Sequence, residues 1–492
     1  MDLEAYRERA ETFQVELTRE YYRHFAGLQA DFPLEAVYER HARLFAREAV
    51  DELRAAAAAA PGGDEGRRRR YLLAFAVEGF LGQATRGVEA ELARREASLQ
   101  LIVDGAAIGF REAATAQASE PDRDRRGALE AARNAAVADS LGALYREGIE
   151  TQHALARELG WPSYRALTED VAGLDLAALG EQTEGFLAAT EAAYPEILEP
   201  ELRRVTGAGL AELRRADLPW FFRDADADAS FPADRLVPSL RATLAGLGID
   251  LDAQSGVILD VAPRPTKSPR AFCAPVRVPG EVYLVLPPVG GVDDYVVLFH
   301  EAGHTEHYGN VIPSLPFEFR CLGDNSVTEA FAFLFDHLIE DPGWLAAHLG
   351  VEDSAGRLAH ARAQRLVYLR RYCGKLGYER ELHAAPSLDG MEATYARRLG
   401  DAVGVPWPRE TFLADVDPGF YAAKYLRAWA LETHLRAHLR ERFGASWWAE
   451  PEAGAVLREL WAQGQRLDAD ELLADLTGAT LDFGAMVADL GI

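Results

Sequence analysis

The sequence predicts a mainly α fold, a large helical body with one small β-sheet, and three observations lead to this class. Apolar residues recur at intervals of three and four over most of the chain, which is the period of an amphipathic helix. Ala, Leu, Arg and Glu, all good helix formers, dominate these stretches. Strand-like patterns are confined to two short segments near the middle, so the sheet has few strands.

The N-terminal part, residues 1–215, reads as one helix after another, as in GALYREGIETQHALARELG (142–160). Near residue 218 the composition changes, because Asp, Phe and Pro replace the helix formers. We therefore predict two domains, an N-terminal helical lobe over residues 1–215 and a catalytic lobe over residues 216–492.

The small sheet is predicted at about residues 256–288. Its strand-like segments are GVILDVA (256–262) and EVYLVLP (281–287). The connection between them is rich in Pro and Gly, which excludes a helix there. Helices return from Asp293 onward and continue almost to the last residue.

The charge and cysteine content limit the partners and the location. With 52 basic and 78 acidic side chains the net charge is −26, which argues against nucleic acid or an anionic membrane as partner. Three dispersed cysteines form no disulfide framework, and the N-terminus has no apolar signal-peptide core. No apolar run approaches the roughly 18 residues that span a membrane. We predict a cytoplasmic protein, and the near absence of lysine is typical of a high-GC bacterium.

The segment HEAGH places His300, Glu301 and His304 on one predicted helix, with Asp293 or Asp294 as its N-cap. Histidines four residues apart lie on one helical face, where two imidazoles reach one zinc ion. Glu301 lies at the rim of that face and is predicted to act as general base toward water.

A catalytic zinc ion needs a third protein ligand. The position of a third histidine in one known class of zinc peptidase is taken here by Asn310. His307 lies about 10 Å along the axis from His300, so we predict that it lines the wall of the site. Glu329 heads an apolar helix, where a carboxylate needs a cation or hydrogen bonds. It is therefore either the third ligand or the partner of Ser326 in a capping box.

The segment HEAGHTEH, with Glu329 following 25 residues after His304, resembles the thimet oligopeptidase and oligoendopeptidase F family of zinc metallopeptidases. The resemblance implies that Glu329 is the third ligand and that each chain holds one zinc ion. It also implies a two-lobed helical body with a deep central channel, which admits short peptides and excludes folded proteins.

Two further segments are similar to family motifs. KSPRAFC (267–273) is similar to KxxGAFC on a strand beside the cleft, which implies a substrate-binding role for Arg270, Ala271 and Phe272. His307 is predicted to contact substrate as part of the same wall. Arg270 stands where the family usually has glycine.

The second of these segments, GFYAAKYLRAW (419–429), looks like the family's HxxGGYAAGYYxY. The resemblance implies that Tyr425 and Tyr421 stabilise the oxyanion of the tetrahedral intermediate. The family's histidine falls on Val416 and its last tyrosine on Ala428, so Arg427 is a candidate to assist.

Together these features predict a zinc metallopeptidase of the gluzincin type, which hydrolyses short oligopeptides with Glu301 as general base. One alternative is a carboxypeptidase, in which Arg320, Arg370 or Arg371 would bind the terminal carboxylate of the substrate. The other is a zinc-bearing peptide-binding protein with little or no activity.

Overall fold

The computed structural model describes residues 1–60 and 62–492, and 70% of it is helical, which confirms the mainly α fold class. It divides into two compact units, each assembled from separate stretches of the chain. The first unit comprises Met1–Phe80, Ala225–Leu358 and Arg427–Ala485. The second comprises Leu81–Asp224, Ala359–Leu426 and Met486–Ile492.

The helices of the first half are α1 (Leu3–Phe25), α2 (Leu34–Arg40), α3 (Arg47–Ala59), α4 (Gly63–Ser98), α5 (Phe110–Ser119), α6 (Arg123–Ala136), α7 (Gly142–Glu158), α8 (Tyr164–Ala172), α9 (Leu176–Thr190), α10 (Ala193–Thr206), α11 (Leu218–Arg223) and α12 (Ala233–Gly246). Those of the second half are α13 (Val292–Gly309), α14 (Phe317–Cys321), α15 (Asn325–Asp336), α16 (Pro342–Trp344), α17 (Ala355–Leu382), α18 (Met391–Val403), α19 (Tyr421–Phe443), α20 (Pro451–Trp461), α21 (Ala469–Thr477) and α22 (Gly484–Asp489). The strands are β1 (Gln100–Val103), β2 (Ala106–Gly109), β3 (Val257–Asp260), β4 (Phe272–Arg277) and β5 (Glu281–Val285).

The two units differ from the predicted lobes 1–215 and 216–492, because neither unit is a continuous stretch of chain. Helices α4, α17, α19 and α22 each contribute residues to both units. A helix that continues across such a division keeps the same composition and periodicity on both sides. The composition change near residue 218 therefore lies close to one division, between Asp224 and Ala225, whereas the divisions inside helices leave no such signal.

The small sheet of the first unit lies where it was predicted. Its strand order is β3–β5–β4, with β3 parallel and β4 antiparallel to β5. Phe272 of β4 is opposite Val285 of β5, and Ala274 is opposite Tyr283. Helix α13 packs against β4 and β5, so the sheet lies beside the helix that carries HEAGH.

The loop before β4 is fixed by a buried ion pair. The Nζ of Lys267 donates to Asp260 Oδ1 at 3.1 Å and to the carbonyl oxygens of Asp260 and Ala262 at 2.7 and 3.0 Å. Lys267 begins the KSPRAFC segment, and its role in this structure is to attach that segment to the end of β3.

The second unit contains a β-hairpin that the sequence analysis missed. Strands β1 and β2 pair antiparallel through the two-residue turn of Asp104 and Gly105, whose φ angles are 52° and 79°. An Asp-Gly pair is a strong signal for a turn of this type. It was overlooked because the flanking strands are only four residues long.

The three cysteines, Cys273, Cys321 and Cys373, are free thiols, as expected from their spacing. Within residues 1–60 and 62–492, every helix is too short or too polar to cross a membrane.

Candidate metal centre

Helix α13 begins at Val292, earlier than its sequence pattern suggested, and the prediction that Asp293 or Asp294 caps it is wrong. The N-cap position is Gly291, and Asp228 accepts a hydrogen bond from the N–H of Val292 at 3.0 Å. Asp294 lies inside the first turn and accepts two N–H groups of the preceding loop. These bonds fix the start of the helix that carries the histidines.

The predicted ligands His300, His304 and Glu329 come together in the first unit. The two imidazole rings are four residues apart on α13, with their centroids 4.9 Å apart. Glu329 reaches them from α15, and its Oε2 lies 3.3 Å from His300 Nε2 and 3.6 Å from His304 Nε2. One donor atom from each residue lies within 4.8 Å of the other two.

The spacing of these donor atoms fits one zinc ion. Two ligands that each lie about 2.1 Å from a tetrahedral ion are about 3.4 Å apart, close to the two distances from Glu329. Two imidazoles and one carboxylate are also a ligand set that zinc accepts, with one position left open. Only 6% of the Glu329 side chain is exposed, so a cation there would interact strongly with it.

The capping-box alternative for Glu329 is wrong. The N-cap of α15 is Asp324, whose Oδ1 accepts a hydrogen bond from the N–H of Ser326 at 2.9 Å. The carboxylate of Glu329 instead points toward the two histidines. Both Asp and Ser are favoured N-caps, so the sequence alone did not decide between them.

The Nδ1 atom of each histidine contacts a residue of α15 that the sequence analysis missed. His300 Nδ1 lies 3.0 Å from Asp336 Oδ2, and His304 Nδ1 lies 2.8 Å from Thr328 Oγ1. Such partners fix the ring orientation and leave the Nε2 atoms to face a metal. The available signal was that Asp336 follows Glu329 by seven residues, which places both on one helical face.

Buried charges set the protonation of the cluster. Burial tends to lower the pKa of His300, but the hydrogen bond to Asp336 and the charge of Glu329 raise it to about 10. Burial tends to raise the pKa of Glu329, but its interactions with His300 and His304 hold it well below its usual range. Burial raises the pKa of Asp336 to about 6, against the opposing effect of His300. Without a metal, His300 is therefore a cation at neutral pH.

We expect zinc affinity to rise with pH. A histidine ligand must be neutral, so below pH 10 zinc displaces a proton from His300. One displaced proton makes the association constant fall about tenfold for each unit by which pH drops. Chelator competition at pH 6, 7 and 8 measures this slope. An affinity that is the same at all three values contradicts the assigned protonation.

Replacing Asp336 with Asn should weaken zinc binding by about 10- to 100-fold, because the carboxylate that orients His300 and makes it more basic is lost. The slope of zinc affinity against pH should also become shallower, since the pKa of His300 falls. A matched control is Asp341→Asn, because Asp341 caps α16 through the N–H of Trp344 and Asn caps equally well. Equal zinc affinity in Asp336→Asn and the control would remove Asp336 from the site.

Gly303 lets α13 approach α15 closely. A Cβ atom at this position would lie 2.5 Å from the carbonyl oxygen of Phe331 and 2.6 Å from the Cα of Ala332. Both are backbone atoms, so the two helices would have to separate. The glycine of HEAGH is therefore needed where the helix of the histidines meets the helix of Glu329.

We expect Gly303→Ala to lower the free energy of unfolding by about 1 to 3 kcal/mol, because it overpacks this contact. Zinc affinity should fall as well, since the donor atoms of the two helices move apart. Gly356→Ala is the matched control, because it lies in a helix of the same unit with open space around it. The control should be neutral or stabilising by about 1 kcal/mol. Urea unfolding and zinc titration of both variants measure these effects.

Glu301 follows His300 on α13, and its carboxylate is directed at the sheet. Its Oε2 accepts a hydrogen bond from the N–H of Cys273 at 2.8 Å, and the hydroxyl of Thr305 donates to its carbonyl oxygen at 2.7 Å. The side chain is partly exposed. One carboxylate oxygen is thus anchored on β4.

The predicted substrate residues on the KSPRAFC segment have different surroundings. Arg270 is exposed and Ala271 partly exposed. Phe272 is buried, with its ring 5.6 Å from Tyr21 and 6.3 Å from Phe25 between centroids. Most of the Phe272 side chain therefore packs in the core between β4 and α1.

The prediction that His307 contacts substrate is wrong, because its side chain is completely buried. The ring stacks on Tyr308 at 5.2 Å and packs on Phe331 at 5.0 Å between centroids. Burial lowers the pKa of His307 to about 3, so the ring is neutral. His307 is part of the core behind the histidine ligands.

Tyr421 and Tyr425 belong to the second unit, at the start of α19. Their rings meet edge to face with centroids 4.8 Å apart, and Tyr425 also contacts Tyr372 at 5.7 Å. Both are partly exposed. Ala428 is fully buried, and its methyl side chain has no hydrogen-bond donor.

The suggestion that Arg427 assists the tyrosines is wrong, because its guanidinium is used in the core of the first unit. It donates to Asp324 at 2.6 Å and to Asp470 at 2.7 Å, and only 5% of the residue is exposed. Arg427 thus holds the N-cap of the helix that carries Glu329.

The arginines considered for a carboxypeptidase are engaged elsewhere. Arg320 donates to Glu11 at 2.7 Å and to two carbonyl oxygens. Arg371 binds both carboxylate oxygens of Asp415, at 2.6 and 2.8 Å. Arg370 is buried and donates to four acceptors of its own unit. A terminal carboxylate would have to displace these partners.

Comparison with protein-family models and with curated proteins gives no match to this chain.

Proposed function

We propose that this protein is a zinc-dependent peptidase that hydrolyses peptide bonds in short oligopeptides, and that it is related to the thimet oligopeptidase and oligoendopeptidase F family. The observation that supports this most is the grouping of three zinc-type donor atoms beside a carboxylate that is not one of them. His300, His304 and Glu329 would hold the ion. Bound zinc supplies a Lewis acid that polarises the scissile carbonyl and makes water more acidic.

Glu301 acts as the general base and then as the general acid. The hydrogen bond from the Cys273 N–H to Oε2 fixes the rotamer of the carboxylate. Oε1 accepts the proton of the attacking water and passes it to the leaving amine as the peptide bond breaks. A preset orientation of this kind avoids the entropy cost of positioning the base during reaction.

The edge of β4 binds the peptide main chain. In the described part of the chain β4 pairs with β5 alone, so its other edge has no strand partner, although the N–H of Cys273 there already donates to Glu301. The N–H of Cys273 points out of the sheet at this edge, toward Glu301. A strand bound there brings its carbonyl groups next to the base.

The role of Tyr425 or Tyr421 in oxyanion stabilisation rests on the family resemblance alone and stays a prediction. The alternative function, zinc-bearing peptide binding without turnover, is favoured by the absence of a donor at Ala428. The cytoplasmic location and the central channel of the family remain predictions.

Turnover of blocked peptides distinguishes these functions. Zinc-loaded protein is incubated with a mixed library of short peptides, acetylated and amidated, and with the same library unblocked. We expect internal bonds of both libraries to be cleaved, with activity lost after chelation and restored by zinc. Cleavage of the unblocked library alone indicates an exopeptidase. Binding without cleavage of either library overturns the peptidase proposal in favour of the binding protein.

A further inference from the structure

A patch of aromatic side chains on α1 and the turn after it lies beside the candidate active site. Tyr21 and Phe25 are four residues apart on α1, with ring centroids 4.5 Å apart, and Phe32 lies 6.3 and 6.1 Å from them. Tyr21 and Phe25 also contact Phe272 of β4, and all four residues belong to the first unit. We call Tyr21, Phe25, Phe32 and Phe272 the aromatic patch.

The aromatic patch is only partly covered. Phe272 is its buried base, whereas Phe25 and Phe32 are partly exposed and 37% of Tyr21 is exposed. Burial of exposed aromatic surface is favourable in free energy, and a ring that packs against an open edge or face adds further stabilisation. The patch can therefore accept a further apolar or aromatic group without rearrangement of its base.

The position of the patch relative to Glu301 follows from the strand. Phe272 directly precedes Cys273, whose N–H holds the Glu301 carboxylate at 2.8 Å. Successive side chains of a strand point to opposite faces, and Phe272 packs with Ala274 and with Ala26 of the chain after α1. The patch therefore lies on the α1 face of the sheet, one residue along β4 from Cys273, whose N–H binds Glu301.

A peptide added to the edge of β4 would place every second side chain on this same face. Side chains directly opposite each other on neighbouring strands are about 5 Å apart between Cβ atoms. A peptide side chain opposite Phe272 would thus meet Tyr21 at the open side of the patch. Burial raises the pKa of the Tyr21 hydroxyl, and the charge of Glu301 raises it further, so Tyr21 is a neutral, protonated phenol.

We propose that the aromatic patch, with Tyr21 as its exposed member, is a specificity subsite for an aromatic or large apolar side chain of the peptide substrate. This inference rests on the proposed peptidase function. Tyr21 determines which peptides bind productively and takes no part in the proton transfers, which belong to Glu301.

The test uses blocked peptides in which a single Phe is moved through an otherwise Ala- and Gly-based sequence. The ratio of kcat/KM between the Phe and the Ala peptide is measured at each position. Wild-type protein should prefer Phe by about tenfold at one position next to the cleaved bond, which corresponds to about 1.4 kcal/mol. Tyr21→Ala should reduce this ratio to below about threefold, mainly by loss of the Phe peptide.

Two variants make the result specific. Tyr21→Phe keeps the ring and should keep the preference, which shows that the hydroxyl is not needed. Leu28→Ala removes another exposed apolar side chain near the end of α1, 54% exposed, and should leave the ratio unchanged. If Tyr21→Ala unfolds, Tyr21→Leu replaces it, since Leu fills part of the space but lacks the ring. An unchanged ratio in both Tyr21→Ala and Tyr21→Leu, or an equal loss in Leu28→Ala, overturns the subsite.

A binding measurement separates failure of the subsite from failure of the peptidase proposal. The zinc-loaded Glu301→Gln variant is titrated with the Phe and Ala peptides, with and without Tyr21→Ala. The ratio compared is the Kd of the Ala peptide divided by the Kd of the Phe peptide. If wild-type protein cleaves nothing but Tyr21→Ala lowers this ratio, the peptidase proposal fails and the subsite stands. If the Kd ratio does not depend on Tyr21, the subsite is wrong whatever the turnover.

Discussion

Glu301→Gln is expected to lower kcat about 100- to 10,000-fold while zinc content and zinc affinity stay unchanged, because general-base catalysis typically contributes that factor. Gln keeps the size of the side chain and an oxygen that can accept the N–H of Cys273. It cannot take a proton from water. The change therefore removes one chemical property from the site and leaves the three metal ligands in place.

The matched control is Glu306→Gln, the same substitution on the same helix. Glu306 is buried and accepts hydrogen bonds from Gln254 and Asn310 at 3.0 to 3.2 Å. Burial raises its pKa to about 7, so a neutral side chain is already half populated near neutral pH. This variant should bind zinc and turn over peptides normally. Activity in Glu301→Gln within a few fold of the control would remove Glu301 from the mechanism.

The structural features that could be predicted from the sequence are those set by local geometry. The four-residue spacing of His300 and His304 has one consequence in any helix, a shared face. The small sheet was recognisable because Pro and Gly exclude helix between two β-type segments. The place of Glu329 required more, because a carboxylate at this position can cap the helix or face the two histidines, and only the tertiary contact with α13 distinguishes them.

The parts that were missed depend on contacts between residues far apart in the chain. Nothing local to Tyr21 indicates that α1 packs on β4, and the burial of His307 depends on Phe331 of another helix. Arg427 falls in a segment similar to a catalytic motif, yet its partners Asp324 and Asp470 come from two other elements. The role of a charged residue beside a motif can therefore be inferred only when its contacts in the fold are known.

Glu329→Ala is expected to have the largest effect on the metal, with zinc affinity reduced by more than about 1,000-fold. Loss of a residue that hydrogen-bonds to a metal ligand lowers metal affinity about 10- to 100-fold, so loss of the ligand itself should lower it more. The two histidines alone leave the ion with half of a tetrahedral set. Peptide turnover should disappear in parallel and should not return at zinc concentrations that saturate the wild-type protein.

Ser326→Ala is the control that separates a metal ligand from a helix cap. If Glu329 stabilised the helix end together with Ser326, the two alanine variants would destabilise the metal-free protein alike and both would keep zinc. With Glu329 as a ligand, Ser326→Ala keeps zinc, since the helix is capped by Asp324. Thermal unfolding with and without zinc gives the answer, because a ligand at 1,000 times its Kd adds about 4 kcal/mol of stability. That shift should be present in wild type and Ser326→Ala and absent in Glu329→Ala.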